Sequence, residues 1–161
     1  MRKNFFIDFD GVILDTQYFI TKHKKDFPNL SWSEYLKIIN WHELINEAKE
    51  INDSISILKS LNNKNNIFIL TKIHTLDEGK EKVLFLRSNG INIPVFITPP
   101  EVGKETIILP KKTDILVDDF IENINSWIRY GGYGILFDNY DLHQNEKNIE
   151  RQKSLKFLNK N

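Results

Sequence analysis

Five short apolar runs, each ending in a polar residue and each separated from the next by a helical pattern, constrain this chain most. They are Phe5-Phe6-Ile7 before Asp8, Ile67-Phe68-Ile69-Leu70 before Thr71, Val95-Phe96-Ile97 before Thr98, Ile115-Leu116-Val117 before Asp118, and Gly134-Ile135-Leu136-Phe137 before Asp138. Continuous apolar runs this short suit strands buried on both faces. Between them, Ile51, Ile55, Leu58 and Leu61 follow helical spacing behind the possible caps Asn52 to Ser54. Val83, Leu84 and Leu86 mark a second helix that stops near Asn89-Gly90, and Ile121, Ile124, Trp127 and Ile128 a third that stops at Gly131-Gly132. A closing helix is predicted from about Asn145 to Leu158. This alternation predicts an α/β fold, a mostly parallel sheet with helices on both faces.

One segment breaks the rhythm. Asp15 to Glu50 holds Tyr18, Phe19, Phe27, Trp32, Tyr35, Leu36, Trp41 and Leu44, with Pro28 as a break. It reads as two or three short helices inserted after the first strand as a lid. The expected organisation is one domain over residues 1–161, with a core of 1–14 and 51–161 and a small cap over about 15–50.

The chain has no cysteine, which excludes a thiol nucleophile, a disulfide framework and a Cys-ligated metal. Lys plus Arg number 22 and Asp plus Glu number 22, and this balance argues against a nucleic-acid partner. Asp8 and Asp10 interrupt the N-terminal apolar stretch, so no secretion signal is expected, and no run reaches the length of a membrane span. The expectation is a cytoplasmic protein.

In parallel α/β sheets, ligands bind at the carboxyl ends of the strands. Asp8, Thr71, Thr98 and Asp118 fall at those ends. On an extended chain Asp8 and Asp10 face the same way, so two carboxylates converge and call for a cation. Asp8 is the candidate nucleophile and Asp10 the candidate general acid and base. Thr71 and the N–H of Lys72 suit a phosphoryl oxygen, although a strand-end threonine also fits. Lys104 is the candidate for neutralising charge, with Lys111 and Lys112 as competitors. Asp118-Asp119 is costly to desolvate at a strand end, and Mg²⁺ prefers oxygen ligands. The expected ligands are Asp8, Asp10 through its carbonyl, and Asp119, with Asp118 beside them. Asn123, one turn into the next helix, is placed to orient that loop. The four histidines show no ligand spacing, and no Walker, G-x-S-x-G or G-x-G-x-x-G motif occurs.

Asp8-Phe9-Asp10-Gly11-Val12, then Thr71, Lys104 and Asp118-Asp119-Phe120-Ile121-Glu122-Asn123 resemble the motif series of the haloacid dehalogenase-like phosphohydrolases. The resemblance implies a three-layer α/β/α, Rossmann-like core with a helical cap after strand one, an aspartyl-phosphate on Asp8, and Mg²⁺ as cofactor. Within that group the chain is most similar to the 5′(3′)-deoxyribonucleotidases, through Ile69-Leu70-Thr71, the Glu81-Lys82 helix and Leu116-Val117-Asp118-Asp119. It departs from them at Lys72-Ile73, which replaces a Ser-Pro pair. The implied function is phosphomonoester hydrolysis, with a nucleoside monophosphate as the small phosphorylated partner. A phosphatase or phosphotransferase for another metabolite, such as a sugar phosphate, and a non-catalytic nucleotide-binding module are the alternatives. The aromatics of the insertion fit a lid core of their own; Trp41-His42 is the pair expected to survive as a base contact.

Overall fold

The computed structural model describes residues 2–61 and 65–159, so Met1, Asn62, Asn63, Lys64, Lys160 and Asn161 of the expected core lie outside it. The elements run β1 (Asn4–Ile7), α1 (Thr16–Lys24), α2 (Trp32–Ile38), α3 (Trp41–Glu47), α4 (Ser54–Ser60), β2 (Asn66–Lys72), α5 (Leu76–Ser88), β3 (Val95–Thr98), α6 (Lys104–Ile108), β4 (Asp114–Asp118), α7 (Ile121–Arg129), β5 (Tyr133–Phe137) and β6 (Glu150–Gln152), and end in a 3-10 helix, Leu155–Asn159. The strands form one sheet in the order β3-β2-β1-β4-β5-β6, and all neighbouring pairs are parallel. The order reverses between β1 and β4. A crevice opens at such a switch point, beyond the carboxyl ends of the two strands.

Successive residues of a strand point to opposite faces, and each central strand here supplies both layers. Phe5 and Ile7, Ile115 and Val117, and Ile135 and Phe137 join one apolar cluster; Phe6, Leu116 and Leu136 join a second with Ile124 and Trp127 of α7. This is why the runs are continuously apolar. Both faces are covered, giving the three-layer α/β/α arrangement.

The expected closing helix does not form. In its place β6 adds a sixth strand beside β5, with Ile135 opposite Glu150 and Phe137 opposite Gln152. The stretch before Leu155 offers no apolar face to bury, whereas an edge strand tolerates polar side chains on both sides. Leu155, Phe157 and Leu158 of the 3-10 helix are buried instead, with Phe157 tilted against Phe5 at 6.2 Å.

α1, α2 and α3 occupy the segment between β1 and α4. Ser31 and Glu34 start α2 with a capping box, and Asn40 caps α3. Phe19, Ile20, Tyr35, Trp41, Leu44 and Ile45 belong to the same apolar cluster as Ile7 and Ile69. The chain returns where Leu14 bridges Glu50 and the Asp15 N–H donates to the Lys49 carbonyl at 2.9 Å. No helix among the described residues is long and apolar enough to cross a membrane.

Ile7 is wholly buried and stands between Ile69 and Val117 in the sheet register. Ile7→Ala is expected to cost about 2–5 kcal/mol by leaving a cavity there. Urea unfolding reads this; a loss below about 1 kcal/mol contradicts the packing described.

Candidate active site

Ile7 pairs with Val117, so Asp8 and Asp118 emerge side by side from β1 and β4 at the switch point. The Asp8 N–H donates to the Val117 carbonyl at 2.9 Å and fixes the level of the two acids. Their side chains follow the alternation of Phe6 and Leu116, toward the layer that holds α6 and α7. Lys104, the first residue of α6, enters there and is only 1% exposed. Its Nζ lies 2.7 Å from Asp118 Oδ2 and 2.9 Å from Asp8 Oδ1. Burial alone would lower the lysine pKa, but the Asp118 and Asp8 carboxylates outweigh it and hold the pKa above its ordinary value. Asn123 also donates to Asp118 Oδ2, at 3.0 Å, and the Phe120 N–H to Oδ1, at 2.9 Å. Asp118 thus accepts from three donors. Its work is to position Lys104 and the turn into α7.

A second lysine serves Asp10. Lys82 of α5 is wholly buried; its Nζ lies 2.5 Å from Asp10 Oδ2 and 2.7 Å from Glu78 Oε1. It also donates to Thr71 Oγ1 at 3.1 Å and to the Lys72 carbonyl at 2.9 Å. Thr16, the first residue of α1, donates to Asp10 Oδ1 at 2.7 Å. Burial pushes the Asp10 pKa up, but the charge and hydrogen bond of Lys82, with the Thr16 hydroxyl, overcome it and hold the carboxyl below its usual range. Asp10 is therefore an oriented carboxylate. The sequence reading missed Lys82 as a site residue. The available signal was its position on the stripe Glu78, Gly79, Lys82, Leu86, the buried face of α5.

Asp119 completes the cluster. One carboxylate oxygen from each of Asp8, Asp118 and Asp119 lies within 4.8 Å of the other two. Gly11 admits Asp119: its φ is +72°, and a Cβ there would stand 2.0 Å from Asp119 Oδ2. Burial first, then Asp118, Asp8 and Asp10, pushes the Asp119 carboxyl up to about 8. Burial, with Asp118 and Asp10 added and Lys104 opposing, raises Asp8 to about 7. Carboxyls that resist ionisation near neutrality, set around one point, fit a hard divalent cation with oxygen ligands.

The sequence matches no protein-family model and no curated protein, but solved structures match it along nearly its full length. The HAD-hydrolase YfnB of Bacillus subtilis, in a magnesium-bound form, superposes with a TM-score of 0.67 at 12% identity, covering 98% of this chain and 96% of that one. A haloacid dehalogenase-like family protein of Streptococcus pneumoniae gives 0.63 at 14%, covering 98% and 97%. A HAD-superfamily hydrolase of Ehrlichia chaffeensis gives 0.60 at 12%, covering 99% and 96%. The fold is that of the haloacid dehalogenase-like hydrolases.

Within this HAD-like fold the expected residues separate into those at the switch point and those elsewhere. Asp8, Asp10, Thr71, Lys104, Asp118 and Asp119 converge. Lys111 and Lys112 do not: they precede Asp114, at the opposite end of β4. The Lys72 side chain turns aside and donates to the Pro100 carbonyl at 3.3 Å. The Asp10 carboxylate faces Thr16 and Lys82, so the metal ligand expected from that residue is its main-chain carbonyl alone. Trp41 requires correction. It is 1% exposed, packed parallel to His74 at 6.3 Å, and has no open face to stack on a base. Its neighbour His42 instead pairs with Glu81 of α5 at 2.9 Å. α3 turns Trp41, Leu44 and Ile45 together onto the apolar cluster that holds Ile7 and Ile69, and this face takes Trp41 out of reach of a ligand.

A carboxyl whose folded pKa lies above its unfolded value contributes stability that is complete below the unfolded value and is lost as pH rises through the folded one. Without metal, Asp119 loses this contribution between about pH 4, its unfolded range, and about 8. Asp119→Asn, which has nothing to ionise, should therefore melt higher than wild type near pH 9 in EDTA, with the difference shrinking toward pH 4. Melting curves across that range test it; a constant or reversed difference contradicts the description of the cluster.

Proposed function

We propose that this protein is a Mg²⁺-dependent phosphomonoesterase that carries the phosphoryl group on Asp8, and that its substrate is a nucleoside monophosphate. The observation that carries the reading is the pairing at the switch point: Asp8, restrained through Oδ1 by Lys104, stands beside an Asp10 restrained by Lys82 and Thr16. The magnesium-bound state of YfnB and the acidic trio support the metal. The nucleotide reading rests on the motif resemblance to the 5′(3′)-deoxyribonucleotidases.

Phosphoryl transfer requires positioning and charge neutralisation more than covalent work from the protein. Lys104 and the Phe9 N–H both engage Asp8 Oδ1, the latter at 2.8 Å, and leave Oδ2 to attack phosphorus. The bond from phosphorus to the ester oxygen breaks, and the leaving oxygen takes a proton from Asp10. Asp10 is ionised at rest; the monoester, with a second pKa near 6, brings the proton in as its monoanion and passes it to Asp10, whose proton affinity the dianion left beside it raises. In the second half Asp10 removes a proton from water, which attacks phosphorus and breaks its bond to Asp8. Phosphate leaves with the proton that Asp10 took from water, and both carboxylates are restored. Asp8, Asp119 and the Asp10 carbonyl would hold Mg²⁺, which neutralises charge on the phosphoryl oxygens and the acids around it. Lys104 adds a fixed positive charge.

Asp8→Asn removes the attacking atom and should abolish Mg²⁺-dependent hydrolysis of nucleoside monophosphates by several orders of magnitude. Retention of more than about a tenth of wild-type kcat, a loss under about 1.4 kcal/mol, overturns the assignment. Lys82→Met with Glu78→Gln removes the lysine without leaving Glu78 as an unpaired buried charge, and takes from Asp10 its cationic partner. Burial then raises Asp10, so the acid limb of the kcat profile should move to higher pH and kcat should fall by about 100-fold. A folded double variant with an unmoved limb contradicts the role given to Lys82.

A further inference from the structure

A cavity of about 710 Å³ opens from the acidic cluster, with Gly11 and Asp119 among its lining residues. Its volume falls within the usual range for small-molecule sites. One wall is α1 and its C-terminal cap, through Tyr18, Lys22 and Lys25; the other is the loop after β5, through Tyr140, Leu142 and His143. Both walls are braced. Asp138, which is 3% exposed, accepts from the N–H groups of Leu142 and His143 at 2.8 and 3.1 Å and from Arg151 at 3.2 Å. Asn52 donates to Asn139 Oδ1 at 2.7 Å. Asp15 ties the walls together: its Oδ1 accepts from the Tyr18 N–H at 3.4 Å and its Oδ2 from the Tyr140 hydroxyl at 2.5 Å.

Tyr18 and Tyr140 are 59% and 61% exposed, yet neither is loose. The Tyr18 ring rests edge-on against Phe19 at 5.2 Å, and Tyr140 is anchored by its hydroxyl. Two braced, exposed aromatic rings therefore line one cavity that begins at the nucleophile's carboxylate cluster. Braced aromatic faces bind planar rings at low entropic cost, and stacking on a base contributes roughly 1–3 kcal/mol. We propose that the cavity is the leaving-group site, that it takes a planar aromatic group such as the base of a nucleoside monophosphate, and that Tyr18 and Tyr140 recognise it. This rests on the phosphatase reading, and it moves recognition from the buried Trp41 to the two walls joined by Asp15.

The test uses thymidine 5′-monophosphate and 2-deoxyribose 5-phosphate, which share the phosphate and sugar and differ in the base. In Tyr18→Ala and Tyr140→Ala, the ratio of kcat/KM for the nucleotide to that for the sugar phosphate should fall by roughly 10–100-fold. An unchanged ratio in both variants, with melting temperatures intact, overturns the proposal. Calorimetric binding of thymidine 5′-monophosphate to Asp8→Asn supplies a readout without turnover. Weakened binding when either tyrosine is also replaced supports the site even if no phosphomonoester is hydrolysed, an outcome that would sink the phosphatase reading alone. Turnover of sugar phosphates with no nucleotide binding would spare the phosphatase reading and sink this one.

Discussion

The contact on which the site depends is the Lys104 ammonium held between Asp8 and Asp118. Parallel pairing of β1 with β4 forces those two acids together at the one place where the strand order reverses. Unrelieved, the adjacent carboxylates would take up protons, and Asp8 could not serve as an anion. A buried ion pair is costly to assemble from water, and it survives where geometry and further hydrogen bonds are good. Asn123 and the Phe120 N–H supply those bonds to Asp118. The sheet thus creates an electrostatic problem, and α6 and α7 deliver most of its solution.

The same logic repeats one step outward at Asp10. Lys82, braced by Glu78 one helical turn earlier, fixes one oxygen, and Thr16 fixes the other. Thr16 opens the inserted helices, so the insertion touches the proposed acid and base directly. It is also tied to the rest of the chain by His42 with Glu81, by Trp41 against His74 and by Asp15 with Tyr140. These ties make the insertion part of the site, and they put the leaving-group cavity between α1 and a loop of the core.

The sheet and its acidic ends were legible in the sequence because fully buried parallel strands leave a blunt signature: apolar runs stopped by a charged or hydroxyl residue. Asp8, Asp118 and Asp119 follow from that pattern alone. Lys104 was a candidate from its loop position with Lys111 and Lys112 as competitors, and only three dimensions separate it from those two, which lie at the far end of β4. Lys82 was obscured because a lysine on a charged helix reads as solvated unless its stripe is traced against a buried partner. Trp41 was misread because exposure is not written in a seven-residue helix. β6 was missed because Glu150-Arg151-Gln152 has no strand pattern; only the open edge of β5 recruits it.

The central claim is that Asp8 becomes phosphorylated. Protein mixed with Mg²⁺ and thymidine 5′-monophosphate, quenched with borohydride and mapped by mass spectrometry, tests it most directly, since reduction of an aspartyl-phosphate leaves homoserine. The account predicts homoserine at position 8, dependent on substrate and metal and absent when Lys104 is replaced by methionine. Substrate turnover with an unmodified position 8, or with the label on Asp10 or Asp119 instead, would contradict it.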